Sequence, residues 1–178
     1  MTARILSYGA MAGLIVGGPM FAIMVTLNAP PPPSVGMLIG YTTMLLAFST
    51  IFVAVKRYRD VEGGGVIGFW TAFGIGMGIS AVAGLIYCLA WEAALVASGA
   101  DFAGDYAKLM IEQKRAAGVS ADELARYAAE MERFQMHYAN PLFRVPMTFS
   151  EIFPVGVIVS LVAAALLRNS RFLPARAA

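Results

Sequence analysis

Apolar residues run almost unbroken through four stretches of the chain, and between the third and the fourth the pattern changes to apolar positions spaced by three and four. The first stretch, Ile5 to Leu27, is long enough as a helix, at ~1.5 Å per residue, to cross a ~30 Å hydrocarbon core. A cleaved signal peptide is the rival reading. Its apolar region would normally be only ~7–15 residues long, and here Pro30 follows Ala29 where cleavage would fall. Val35 to Val55 and Val145 to Leu167 form the second and fourth spans, and Val66 to Ala97 forms a third, longer than a crossing needs. The turn Asn28 to Ser34 holds Pro30 to Pro33 in succession, which cannot continue a helix and reads as a stiff connector between the first two spans.

Small residues recur at helical spacing within the spans: Gly9, Gly13 and Gly17 in the first, Gly36 and Gly40 in the second, Gly74, Gly78 and Ala81 on one face of the third with Gly76, Ser80 and Ala83 on another, and Gly156, Ser160 and Ala164 in the fourth. Bare faces of this kind let helix backbones approach closely. The first-span face is expected to meet the second span, and Pro19 predicts a bend near Ile15.

Residues 98–143 are different. Phe102, Tyr106, Leu109 and Met110 mark one amphipathic helix ending at Gly118, a left-handed cap; Ser120 with Glu123 is a capping box opening a second, with Leu124, Ala128, Met131, Gln135 and Tyr138 on its stripe. The reading is an all-α integral membrane four-helix bundle, a single membrane domain over 1–178, with an extracytoplasmic amphipathic helical hairpin over 98–143 between the third and fourth spans.

Charge sets the orientation. Arg4, Lys56, Arg57, Arg59, Arg168, Arg171 and Arg176 flank spans in short segments on one side, seven of the thirteen basic residues, and basic residues stay in the cytoplasm. Both termini are therefore expected inside, in a bacterial cytoplasmic (inner) membrane. Tyr58, Arg59 and Asp60 are placed in a cytoplasmic loop, with Gly63 to Gly65 as a flexible hinge behind them.

Composition agrees with a membrane protein: 59% of the 178 residues are hydrophobic and 13% charged, and mean hydropathy is +0.71. An ordinary soluble domain is only ~45–50% apolar. The net charge of +2 includes no basic block interleaved with aromatics, so no nucleic-acid partner is expected. Cys88 and His137 are each the only residue of their type, which leaves no internal disulfide and no cysteine or histidine metal set. Without a His-Glu-x-x-His, a Gly-x-Ser-x-Gly or a phosphate loop, neither enzyme chemistry nor a cofactor is expected.

The one chemical anomaly is Glu151, a carboxylate inside the fourth span. An acid near a bilayer centre costs about 2.5–3.5 kcal/mol on insertion scales, so it needs a partner, a proton or water. Pro154 cannot donate to the Ser150 carbonyl and should leave an open acceptor beside the acid; Thr148, one turn before, is placed to hydrogen-bond it. Glu92, near the outer boundary of the third span, reads as a hydrated end-of-helix carboxylate or as a companion of Glu151 sharing a proton.

Several strings read together: Gly40-Tyr41 with Met44, Tyr58-Arg59-Asp60 followed by Gly64-Gly65 and Phe69, Tyr87 with Trp91, Asn140-Pro141, and Thr148-Phe149 with Glu151 and Phe153-Pro154-Val155-Gly156. With them the chain resembles, over nearly its whole length, a family of small bacterial integral membrane proteins catalogued as a domain of unknown function. The resemblance implies a four-span fold and no activity, cofactor or catalytic residue. Two functions follow from the residues. One is a non-enzymatic structural or accessory membrane component working through helix packing, as a homo-oligomer or a subunit of a larger complex in contact with membrane lipid. The other is a small proton-, cation- or lipid-linked carrier with Glu151 as its protonatable group, against which stands a role for Glu151 in packing alone.

Overall fold

The computed structural model describes residues 1–26 and 33–174, and these form helices joined by turns, with no strand among them. The helices are α1 (Thr2–Thr26), α2 (Pro33–Val61), α3 (Phe69–Ser98), α4 (Phe102–Ala116), α5 (Ala121–Tyr138) and α6 (Pro141–Leu167). Of these, α1, α2, α3 and α6 are long and apolar enough to cross a membrane. Their outward faces are apolar as well, with Leu14, Leu38, Leu46, Leu89 and Val96 exposed. Water would not tolerate so continuous a greasy surface, whereas lipid does. The chain is a multi-pass membrane protein.

The spans run up and down around α3, which packs on α1, α2 and α6, while α2 also packs on α1 and α6. The glycine face of α1 lies on α3 rather than on α2 as expected. A Cβ on Gly9 would sit 2.6 Å from Val82, one on Gly13 2.6 Å from Ile86 and one on Gly17 2.9 Å from Ala90. Residue numbers rise together along that seam, so α1 and α3 are parallel. Spacing alone identifies the bare face of a helix; which neighbour fills it depends on the whole bundle.

Against α6 the order reverses. Gly76 faces Ser160 and Gly156 faces Ser80, a Cβ on either glycine falling 2.5 Å from the opposing hydroxyl. Each serine hydroxyl donates back to the carbonyl of the glycine one turn earlier on its own helix, Ser80 to Gly76 at 2.9 Å and Ser160 to Gly156 at 2.7 Å. The polar atoms at this dry crossing are thereby satisfied without a link across it. Pro19 and Pro154 both stand inside unbroken helices, so neither ends its span.

The first, second and fourth spans exceed the apolar runs that predict them, while the third starts at Phe69 under a Gly68 cap, three residues after the expected Val66. The second runs on to Val61, so Tyr58, Arg59 and Asp60 form its last turns instead of a loop. Charged residues are good helix formers, and here the Lys56 ammonium pairs with Asp60 one turn on; only the glycines stop the helix. Gly63 N–H bonds Tyr58 O at 3.0 Å and Gly65 N–H bonds Arg59 O at 2.9 Å, with Gly64 and Gly65 at φ +59° and +89°. The expected hinge is a hydrogen-bonded C-terminal cap. The fourth long helix starts at Pro141 under an Asn140 cap, ahead of the expected Val145. The proline connector lies outside the described residues up to Pro32.

Between α3 and α6 the amphipathic pair forms as its pattern predicts. Ser120 Oγ accepts from Glu123 N–H at 3.3 Å, and Gly118 takes φ +73° between the helices. Tyr106 and Phe134 close the pair at 5.9 Å between ring centroids.

Candidate functional site

Two polar clusters are built into opposite ends of the bundle, and a cavity lies beside one of them. At the end where the chain begins and α6 finishes, Arg59 is completely buried. Its Nε donates to Asp60 Oδ1 at 2.8 Å, and its Nη1 to Phe172 O at 2.9 Å and Leu167 O at 3.4 Å; its Nη2 donates to Leu173 O. A guanidinium thus gathers the free carbonyls at the C-terminus of α6, where a helix carries partial negative charge. Arg4 pairs with Glu62 at 2.6 Å and lies over the Tyr58 ring at 5.8 Å, tying α1 to the same end. Tyr58, Arg59 and Asp60 are therefore a packing device.

At the hairpin end, Arg144 on α6 grips Glu92 on α3 through two contacts, Nε to Oε1 at 2.7 Å and Nη2 to Oε2 at 2.5 Å. Its remaining nitrogen, Nη1, donates to Tyr138 O at 3.0 Å, and the guanidinium lies 5.5 Å from the Tyr138 ring. Such a fork is the strongest pairing geometry open to a carboxylate. Glu92 is thus neither a freely hydrated end nor the companion of Glu151, as the sequence reading had it. Its partner stands 52 residues on, at the same level of an antiparallel helix. The signal was present in the sequence as opposite charges, each beside a boundary aromatic, Trp91 and Tyr138. Those two are joined as well: Trp91 Nε1–H donates to Tyr138 Oη at 2.8 Å. Burial pushes the Tyr138 phenol up to about 12.

Glu151 is in neither cluster. Among the described residues it has no ion-pair partner and no side-chain hydrogen bond. It lines two adjoining cavities instead. One, of about 370 Å³, lies under the hairpin against Tyr106, Phe134, Met147 and Thr148. The other, of about 480 Å³, opens between α1 and α2 along Met20, Met24, Tyr41 and Met44. Tyr87, Trp91 and Phe102 line both, so Glu151 sits where the cavities meet. The combined size suits a drug-sized amphiphile.

Of the other sequence candidates, Thr148 is buried and lines the first cavity beside Glu151, which is itself open to that space. Pro154 is exposed on the outer side of α6 and lines neither cavity. Cys88 is buried, its Sγ–H donating to Val145 O at 3.6 Å, a structural thiol. The cavity's aromatic wall was missed by sequence reasoning because Phe102 comes from the hairpin and Tyr87 and Trp91 from α3, and only the fold juxtaposes them. No group of three or more His, Cys, Asp or Glu side chains among the described residues is arranged to hold a metal ion.

Comparison with protein families matches residues 7–169 to DUF4199, a family of proteins of unknown function. The chain belongs to that family. No curated protein and no solved structure matches it.

Proposed function

We propose that this DUF4199 protein is a non-enzymatic carrier of the bacterial cytoplasmic membrane, in which Glu151 exchanges a proton for an amphiphilic solute held in the cavities it lines. The observation that carries the reading is the contrast between the two acids of the hairpin end. Glu92 is neutralised by a dedicated arginine. Glu151, at the junction of two cavities, has nothing among the described residues to neutralise it. An uncompensated carboxylate within a membrane span is retained at a cost of a few kcal/mol, which argues for a ligand or a proton as its counterpart. Arg4, Lys56 and Arg57 stand at the end holding both termini, which supports a cytoplasmic placement for that end and an extracytoplasmic one for the hairpin.

Reconstitution into liposomes enclosing a pH-sensitive dye tests this. Wild-type protein should give a solute-driven proton flux that Glu151→Gln abolishes without loss of thermal stability. No flux across a broad panel of amphiphiles, or a flux that survives the substitution, refutes it.

A second reading, a homo-oligomer or an accessory subunit of a membrane complex, is supported by Gly18 and Gly74, where an added Cβ would meet nothing within 4 Å. These leave bare backbone on the outside of the bundle, open to a neighbouring helix or to lipid. The case is narrower than the sequence implies, because the longest glycine face is filled within the chain by α3. A native mass spectrum from membrane-derived nanodiscs would report copy number, bound lipid and any companion subunit.

A further inference from the structure

The walls of the Glu151 cavities specify the charge and character of what they hold. We propose that the ligand is a lipophilic organic cation, a protonated or permanently charged centre carrying an apolar body; the inference rests on the carrier reading above.

Among the described residues, Glu151 is the only charged side chain in either lining. Arg144, on the same helix, has all three guanidinium nitrogens engaged, two contacts to Glu92 and one to Tyr138 O. The cavities therefore present one net negative charge when Glu151 is ionised. A fatty acid or a phosphate headgroup would meet that charge with no basic group to receive its own. A small metal cation would find one carboxylate where several oxygen ligands are needed. A weakly hydrated organic cation needs neither a cage of oxygens nor a second acid.

Aromatic faces attract such a centre through their quadrupoles, most strongly when water is excluded. Tyr87, Trp91 and Phe102 surround the junction at Glu151, with Trp91 and Phe102 held edge to face at 4.9 Å. Carboxylate and aromatic wall thus act on the same point. Beyond it the larger cavity is walled by Met20, Met24, Met37 and Met44. Methionine side chains are flexible and polarisable, and they accommodate apolar bodies of differing shape. Met37 and Tyr41 are also exposed on the outside of α2, so the mouth of this cavity faces the lipid, where a lipophilic cation accumulates.

The test uses the full chain in zwitterionic nanodiscs carrying Trp70→Phe, which leaves Trp91 as the only tryptophan and a reporter inside the cavity. Tetraphenylphosphonium and tetraphenylborate share a shape and differ in the sign of their charge. The phosphonium should change Trp91 fluorescence saturably, and Glu151→Gln should weaken it roughly tenfold or more, equivalent to at least ~1.4 kcal/mol. Glu151→Asp should retain most of the binding. Tetraphenylborate should not saturate the signal. Borate binding as tight as phosphonium, or phosphonium binding indifferent to Glu151→Gln, overturns the assignment of a cation. If an uncharged or anionic amphiphile binds there and supports Glu151-dependent flux, the cation assignment falls and the carrier reading stands. If no amphiphile of either charge perturbs Trp91, both fall.

Discussion

The crossing of α3 and α6 allows a volume exchange to be predicted. Gly76→Ala adds a Cβ that would lie 2.5 Å from Ser160 Oγ, 2.7 Å from Ser160 Cβ and 3.1 Å from Ile51 Cγ2. The hydroxyl can rotate away but the Ser160 Cβ cannot, so the helices must part. Overpacking of that kind costs about 1–3 kcal/mol. The better helix propensity of alanine opposes it by up to ~1 kcal/mol. Taking the full propensity gain, the net expectation is a loss of roughly 0–2 kcal/mol, always about 1–3 kcal/mol below Gly74→Ala. Gly74→Ala isolates the propensity term, because its Cβ would meet nothing within 4 Å; it should be neutral or slightly stabilising. Ser160→Gly on the Gly76→Ala background removes both opposing atoms and should restore most of the loss. Equilibrium unfolding of these proteins and of the Ser160→Gly single variant in mixed micelles, followed by circular dichroism, measures each step. If Gly76→Ala is as stable as Gly74→Ala, or if the double variant is merely the sum of its parts, the proposed contact does not hold the crossing together.

Arg59→Leu should destabilise by about 3–5 kcal/mol in the same assay, since it removes the donor to the Leu167, Phe172 and Leu173 carbonyls and one of the two cationic partners of Asp60, and Arg59→Lys should recover only part because one ammonium cannot reproduce the fork. Tyr138 gives a pH dependence. Its phenol is pushed up to about 12 in the fold, first by burial, against 10 unperturbed, so its contribution is fully present below pH 10 and falls away as pH rises toward 12, where the unfolded chain ionises first. Melting curves across that window should decline less for Tyr138→Phe than for wild type; an identical decline would refute the assignment.

The spans were legible because crossing a bilayer demands length and apolarity, and both are written along the chain. The capping of α5 by Ser120 and the left-handed Gly118 were legible for the same reason, since each is decided within a few residues. What the sequence left open depends on distant segments. Arg59 looks like a loop cation until the end of α6 folds over it, more than 100 residues away. Glu92 looks hydrated until Arg144 arrives on an antiparallel neighbour. Glu151 was conspicuous from its span alone, but the sequence held no sign that aromatic rings from α3 and α4 would gather beside it. Pro154 was given a role by its proximity in sequence, yet the helix turns it to the outside.

The Arg59 cluster also bears on how the protein comes to be made. The arginine is made with the second span, but the three carbonyls that receive it belong to residues more than 100 positions further along the chain. Until those residues are made it has only neighbours such as Asp60 to lean on, so its hydrogen bonding is completed only when the segment after α6 folds back on the end of α2. A chain cut short before Phe172 would carry an orphaned cation into the bilayer, a mark by which membrane proteases could tell an incomplete molecule from a whole one.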